Sequence, residues 1–329
     1  MIRIGSGLIG EVALPAGRLF LVTDANVAAA GWPDRLGAAF DGRFVLEPGE
    51  DSKSLSVVER LLDALLDAGI GRSDHVVAVG GGVVGDVAGF AAALLKRGTN
   101  WIAVPTSLLA QADAAIGGKT GVNARQGKNL IGAFHAPALV LIDPDALATL
   151  PPDELRAGYA EIVKIGLIGD RDFFAWCEEN GDALLAGDRA ARLHAIETCV
   201  RAKAALVAGD ERDTGGERAL LNFGHSFGHA IEAETGIRHG EAVAIGMVLA
   251  LRLSVARGLC PAADLARVIA HFAAVGLPVA TEADPDALAR RMAHDKKGAD
   301  LVLARGIGRA FLYRSGSGLS GPNIRSLSD

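Results

Sequence analysis

The longest apolar stretch of the chain runs from Val76 to Leu95. It is broken by Gly80, Gly81 and Gly82, with Asp86 behind them. An uninterrupted apolar run of this length would mark a membrane-spanning helix. A carboxylate and a glycine triplet argue against that, because charge at membrane depth is costly and glycine weakens a helix. The same residues read well as a buried strand, Val76–Val79, then a tight glycine turn, then an apolar helix. A strand apolar on both faces must be covered on both faces, which places it inside a parallel α/β sheet.

Other segments agree with that frame. Leu19–Thr23, Trp101–Val104 and Ala138–Ile142 are short apolar runs ended by Asp24, Pro105 and Asp143-Pro144. Leu55, Val58, Leu61, Leu62, Leu65 and Leu66 have helical spacing and stop at Gly69, with Ser56 and Glu59 spaced as a capping box. After Leu150-Pro151-Pro152 helical periodicity takes over, with stops at Gly181, Gly187, Gly216, Gly236, Gly258 and Gly276. Only Asp300–Ala304 reads there as a weak strand. The pattern predicts a doubly wound α/β N-terminal domain over 1–150 and an all-α, helical C-terminal domain over 151–329.

Composition narrows the function classes. With 50% hydrophobic residues the chain is too apolar for disorder. A net charge of −6, from 33 basic and 39 acidic residues, gives no electrostatic reason to bind nucleic acid or an anionic membrane. Three scattered cysteines, Cys177, Cys199 and Cys260, with no CxxC pair, point to a reducing compartment. The opening MIRIGSGLIGEV lacks the basic-then-apolar order of a secretory signal, so the expectation is a cytoplasmic protein.

Four segments carry chemistry. Glycines between a strand and a helix, at Gly80–Gly82, let backbone N–H groups face a phosphate; the plain alternative is a tight turn. Lys119 follows Gly117-Gly118, and Lys128 follows Gly127; these read as glycine-rich loops offering point charges to phosphate or carboxylate, or as solvated basic loops. GGKT imitates the end of a phosphate-binding P-loop, but Asp113 stands where the first glycine should. Glu161 and Lys164 share a helix face, where a simple salt bridge would suffice. His225 and His229 are four apart on one helix face, with His239 shortly after. A catalytic zinc site needs three protein ligands, and spacing leaves open which three of Glu161, His225, His229 and His239 bind.

The ordered strings GGGVVGDVAGFAA (80–92), VPTSLLAQADAAIGGKTGVN (104–123), GKNLIGAFHAP (127–137), GYAEIVKIGLI (158–168), LLNFGHSFGHAIEA (220–233) and HGEAVAIGM (239–247) resemble the 3-dehydroquinate synthase family of sugar-phosphate cyclases. The resemblance implies a dehydroquinate synthase-like fold with an α/β Rossmann-like N-terminal domain and an all-α C-terminal domain, an NAD cofactor, a divalent metal (zinc, or cobalt), a site in the interdomain cleft, and a homodimer. It puts the metal ligands on Glu161, His225 and His239, and moves His229 to the substrate phosphate. It puts further substrate contacts on Asp113, Lys119, Asn129, Lys164, Lys203, Arg218, Asn222 and one of Lys296 and Lys297. Arg97 resembles an arginine that reaches the phosphate in the neighbouring subunit's site. The NAD contacts fall on Asp24, Asn26, Glu50, Lys53, Gly81, Gly82, Val83, Asp86, Thr106, Ser107 and Lys128, with Ser107 where the family has threonine.

The implied substrate is a small sugar-acid phosphate, 3-deoxy-D-arabino-heptulosonate 7-phosphate, and the implied reaction is phosphate elimination and ring closure to 3-dehydroquinate. Such a ligand explains a basic cluster inside an acidic protein. Two alternatives stand beside it: another cyclase of the inosose or valiolone synthase type, and a metal-dependent polyol dehydrogenase.

Overall fold

The computed structural model describes residues 1–210, 216–295 and 301–314. The chain divides into two units, Met1–Pro151 with Arg192–Ala204, and Pro152–Ala191 with Ala205–Asp329. This division differs from a single break at 150 by returning Arg192–Ala204 to the first unit.

The first unit holds β1 (Ile2–Ile4), β2 (Leu19–Asp24), α1 (Ala25–Ala29), β3 (Gly42–Leu46), α2 (Leu55–Asp67), β4 (His75–Gly80), α3 (Gly82–Leu94), β5 (Asn100–Pro105), β6 (Lys119–Ala124), β7 (Gly127–Phe134) and β8 (Leu139–Ile142). Six strands form one parallel sheet in the order β1-β8-β5-β4-β2-β3. Every residue of β4 and β8 is buried, as a sheet covered on both faces requires. The edge strand β3 alternates between half-buried and exposed residues up to the buried Leu46. One face packs Leu21, Trp32, Val77, Val79, Ile102, Val104, Leu139 and Leu141 into a single cluster. From β2 the chain moves outward to β3, and from β4 it moves the other way to β5. The strand order thus reverses between β2 and β4, the kind of crevice where open α/β sheets bind ligands. Asp24 ends β2 there, and Gly80–Gly82 join β4 to α3.

Two expectations need correction in this unit. Ser54 caps α2 in an extended conformation and makes no side-chain cap bond; Ser56 lies inside the first turn, so the Ser56–Glu59 capping box does not form. Lys119 and Lys128 are not in loops. They lie at the starts of β6 and β7, which pair antiparallel as a hairpin with a register irregularity between Val122 and Ala124. The hairpin is pinched where Gly121 pairs with Gly132: a Cβ on Gly121 would lie 2.5 Å from the Ile131 carbonyl oxygen, and one on Gly132 would lie 2.2 Å from that of Thr120.

The second unit is helical: α4 (Pro152–Gly169), α5 (Arg171–Ala186), the ends of α6 (Arg189–Gly209), α7 (His225–Thr235), α8 (His239–Ala256), α9 (Ala262–Ala274) and α10 (Pro285–Asp295). Helix α8 is long and apolar enough to cross a membrane, but most of it is buried among its neighbours, which is the pattern of a core helix. The helical part also carries a two-stranded antiparallel hairpin, β9 (Leu301–Ala304) with β10 (Ala310–Tyr313). It is held by the buried Asp264, which accepts the Ile307 N–H at 3.0 Å.

Candidate active site

Three helices of the second unit approach at backbone distance because glycines stand where they meet. A Cβ on Gly240 of α8 would lie 1.9 Å from the Ala157 carbonyl oxygen of α4. One on Gly246 would lie 2.1 Å from the carbonyl oxygen of Gly224, the residue that caps α7. Only glycine tolerates such approach. As a result Glu161 of α4, His225 at the start of α7 and His239 at the start of α8 converge, with one ligand atom from each lying within 4.8 Å of the others.

The Glu161 carboxylate is buried and split in its duties. Its Oε2 pairs with Lys164 Nζ one turn along α4. Its Oε1 is buried and accepts no hydrogen bond. That atom lies 3.7 Å from His225 Nε2 and 3.9 Å from His239 Nε2. Each histidine has an acceptor for its other nitrogen: the Phe223 carbonyl lies 3.3 Å from His225 Nδ1, and Glu232 Oε2 lies 3.1 Å from His239 Nδ1. With Nδ1–H donating to those acceptors, both Nε2 atoms turn a lone pair toward Glu161. Burial, with the Lys164 charge adding to it, holds the His225 pKa well below the ordinary value, so its imidazole is neutral. For His239 burial works downward as well, but the hydrogen bond to Glu232 and the Glu161 charge outweigh it and raise the pKa. One oxygen and two nitrogen donors aimed at one point, with a buried carboxylate oxygen lacking any other partner, fit a divalent cation with a coordination position left open.

His229 stays outside this trio. Its ring centre lies 5.3 Å from that of His225 and 5.9 Å from that of His239, and its side chain is exposed. Arg218 is buried and donates from Nη1 to the Asp210 carbonyl at 3.4 Å. Asn222 is half-buried two residues ahead of Gly224. Lys296 and Lys297 lie outside the described residues.

The first unit gathers a second set. Asp113 sits in a single π-helical turn, Ala110–Ala114, a geometry often found at functional sites. Lys203 Nζ donates to both its carboxylate and its carbonyl, each at 2.7 Å. Gly117 and Gly118 adopt φ values of 101° and 64°, which no side chain takes readily, and deliver Lys119 exposed at the head of β6. Lys53 pairs with Asp86 at 2.5 Å; burial raises the Asp86 pKa and the lysine charge opposes it. Gly81 caps α3 without a side chain, leaving the first-turn N–H groups of Gly82 and Val83 at an open helix N-terminus. Gly81, Gly82, Asp86 and Lys119 line one cavity. Thr106 donates its backbone N–H to the Gly80 carbonyl, and Ser107 Oγ accepts the Ala110 N–H. At the end of β2, Asp24 caps α1 by accepting the Val27 N–H at 2.9 Å, with Asn26 exposed beside it.

Arg97 is not part of that group. It follows α3, so about 20 Å of helix separates it from the glycine turn at the other end. Arg97 and Lys96 both take left-handed backbone, φ 65° and 48°, at a cost of about 1–3 kcal/mol each.

Sequence reasoning passed over two residues. Asn123 donates through Nδ2 to Glu50 Oε1 (2.8 Å) and through its N–H to the Lys53 carbonyl (2.9 Å), and its Oδ1 accepts the Asn129 N–H (2.9 Å). It thereby ties the Glu50–Lys53 segment to the start of β7, which bears Lys128 and Asn129 and where Lys128 Nζ lies 4.0 Å from Glu50 Oε1. Glu232, three residues after His229 and seven after His225, shares their helix face, and that spacing was the available signal.

Comparison with known proteins bears on both units. A sequence model described as 3-dehydroquinate synthase N-terminal matches residues 43–157, and one described as 3-dehydroquinate synthase C-terminal matches residues 158–298. The 3-dehydroquinate synthase of Rhodospirillum rubrum is 54% identical over 340 residues, covering 95% of this chain and 88% of that protein. Among solved structures, the 2-epi-5-epi-valiolone synthase of Streptomyces hygroscopicus with NAD+ and Zn2+ bound superposes with a TM-score of 0.91 at 32% identity, covering 99% of this chain and 95% of the other. A 2-deoxy-scyllo-inosose synthase complexed with carbaglucose-6-phosphate, NAD+ and Co2+ gives 0.85 at 29% identity, covering 95% and 91%.

Proposed function

This chain belongs to the 3-dehydroquinate synthase family, and from that membership we propose that it converts 3-deoxy-D-arabino-heptulosonate 7-phosphate to 3-dehydroquinate and phosphate. The observation that carries the reading is the convergence of Glu161 Oε1, His225 Nε2 and His239 Nε2 at a buried oxygen with no other partner. When bound, NAD+ takes up and then returns one hydride, and a divalent cation, zinc or cobalt, supplies Lewis-acid stabilisation of the oxygen at the oxidised carbon.

The chain's own residues bind and orient. Glu161, His225 and His239 hold the cation. Lys119, Lys164, Lys203, Arg218 and His229, with Asn129, Asn222 and one of Lys296 and Lys297, bind the substrate's carboxylate, hydroxyls and phosphate. Asp113 supports that set by fixing Lys203. Asp24, Asn26, Glu50, Lys53, Gly81, Gly82, Val83, Asp86, Thr106, Ser107 and Lys128 bind the dinucleotide. The helix end at Gly81–Val83, beside the point where the strand order reverses, supports a pyrophosphate there. The substrate phosphate can itself accept the proton released on elimination, so the protein's work is positioning and charge stabilisation. Arg97, far from its own glycine turn and held in strained backbone, serves the phosphate of a second copy in a homodimer.

Phosphate release from the heptulosonate phosphate, assayed with and without NAD+ and with and without a chelator, tests the reaction. Release that needs both the cofactor and the metal, with no net NADH, is expected. NADH formed in step with product would identify a polyol dehydrogenase, and turnover only of a sugar phosphate lacking the carboxylate would identify another cyclase. Lys119→Ala is expected to lower kcat/KM about 10- to 100-fold, the range for a lost charged hydrogen bond, with an unchanged circular dichroism spectrum. Lys119 is an exposed first strand residue, and alanine keeps its backbone pairing with Phe134.

A further inference from the structure

We infer that Glu232 is a positioning residue of the metal site, fixing the tautomer and orientation of His239 so that its Nε2 faces the cation. The inference rests on reading Glu161, His225 and His239 as the ligands.

The two histidines are held in different ways. His225 is 14% exposed, and the acceptor at its Nδ1 is the backbone carbonyl of Phe223, two residues away. Its ring is set by its own chain segment. His239 is 31% exposed and opens α8, so less packing restrains its ring. What restrains it is Glu232 Oε2 at 3.1 Å from Nδ1, on a carboxylate only 11% exposed. That carboxylate comes from α7, the helix that also carries His225. Because His225, His229 and Glu232 follow at i, i+4 and i+7, one face of α7 offers a ligand and the orienter of the next ligand.

Glu232 is not itself a ligand here. Its oxygen meets Nδ1, whereas Glu161 lies on the Nε2 side of the same ring. A carboxylate behind a metal-binding imidazole fixes the tautomer with Nδ1 protonated and makes Nε2 a stronger donor, and its loss typically costs 10–100-fold in metal affinity.

The test uses the full-length apoprotein, with Zn2+ affinity measured by competition against a chromophoric chelator and the visible spectrum recorded with Co2+. Glu232→Ala is expected to weaken Zn2+ binding about 10- to 100-fold and to alter the Co2+ spectrum. Glu232→Gln keeps an acceptor oxygen without the charge; it is expected to weaken binding several-fold while the apoprotein melting temperature stays at the wild-type value. Wild-type affinity and an unchanged Co2+ spectrum in Glu232→Ala would overturn the inference. Should that variant fail to fold, wild-type affinity in Glu232→Gln would do the same. His225→Ala, measured alongside, separates this from failure of the site itself: if it too binds Zn2+ like wild type, the ligand assignment falls.

Discussion

Replacing His225 with alanine is expected to remove the bound metal and lower turnover about a thousandfold or more. A Lewis-acid cation contributes several kcal/mol to charge stabilisation, and each 1.4 kcal/mol is about tenfold in rate. His225 supplies one of the two nitrogen donors in the group, and among the described residues no third histidine joins it. His229, the nearest candidate, has its ring centre 5.3 Å away and its side chain exposed. The change also leaves Glu161 Oε1 buried with neither cation nor hydrogen bond, which is costly for a carboxylate. Metal content per protomer and phosphate release are the two readouts. Full metal content, or wild-type turnover at low metal content, would contradict the site.

Gly240→Ala is expected to be nearly as damaging, although the residue carries no chemistry. The added methyl would lie 1.9 Å from the Ala157 carbonyl oxygen and 2.4 Å from its carbon, so relief requires the helices themselves to part, by about 1 Å or more. One of those helices carries Glu161, and the other carries His239 immediately before the substituted position. Overpacking of this kind costs about 1–3 kcal/mol or more. The expected result is a lower melting temperature together with at least tenfold weaker metal binding. Gly169→Ala, at the end of the same α4, is the control: a Cβ there meets nothing within 4 Å, and alanine suits a helix better than glycine. Equal behaviour of the two variants would remove the argument that glycine contacts build the site.

Much of this architecture is readable from local pattern. Parallel strands buried on both faces announce themselves as continuous apolar runs, and Val76–Val79 grows by only one residue at each end in the folded protein. The β6–β7 hairpin does not announce itself, because Gly121, Gly127 and Gly132 imitate a loop when each residue is taken alone. The small size of Gly121 and Gly132 is in fact what lets the two strands close. Of the C-terminal hairpin, Leu301–Ala304 lies within the weak strand expected at 300–304, whereas Ala310–Tyr313 goes unread because it is four residues long and pairs only with that strand. Histidine spacing finds the segment but leaves the trio open, since His225 and His229 are the neighbours along one helix. His239 becomes a neighbour through the close packing of α7 on α8, where Gly246 meets Gly224 and Gly228 meets Val243. No periodicity encodes that contact. Tertiary approach, rather than local propensity, decides which nitrogens meet the carboxylate.

The strand order has a consequence for how the protein is made. The β5 strand pairs with β4 on one side and with β8 on the other, and β1 pairs only with β8, Ile2 opposite Val140. Strand β1 therefore finds its place only after β8 has been made. While residues 106–138 emerge, about 2–7 s at roughly 5–20 residues per second, the Trp101–Val104 edge has no neighbour on the β8 side. An apolar strand edge waiting in that way is a template for pairing with another chain. The wait ends when Leu139–Ile142 arrives and Asp143 draws in the N–H groups of Gly7 and Ile9. Chains stalled between β5 and β8 are therefore expected to aggregate more readily than chains in which β8 has been made.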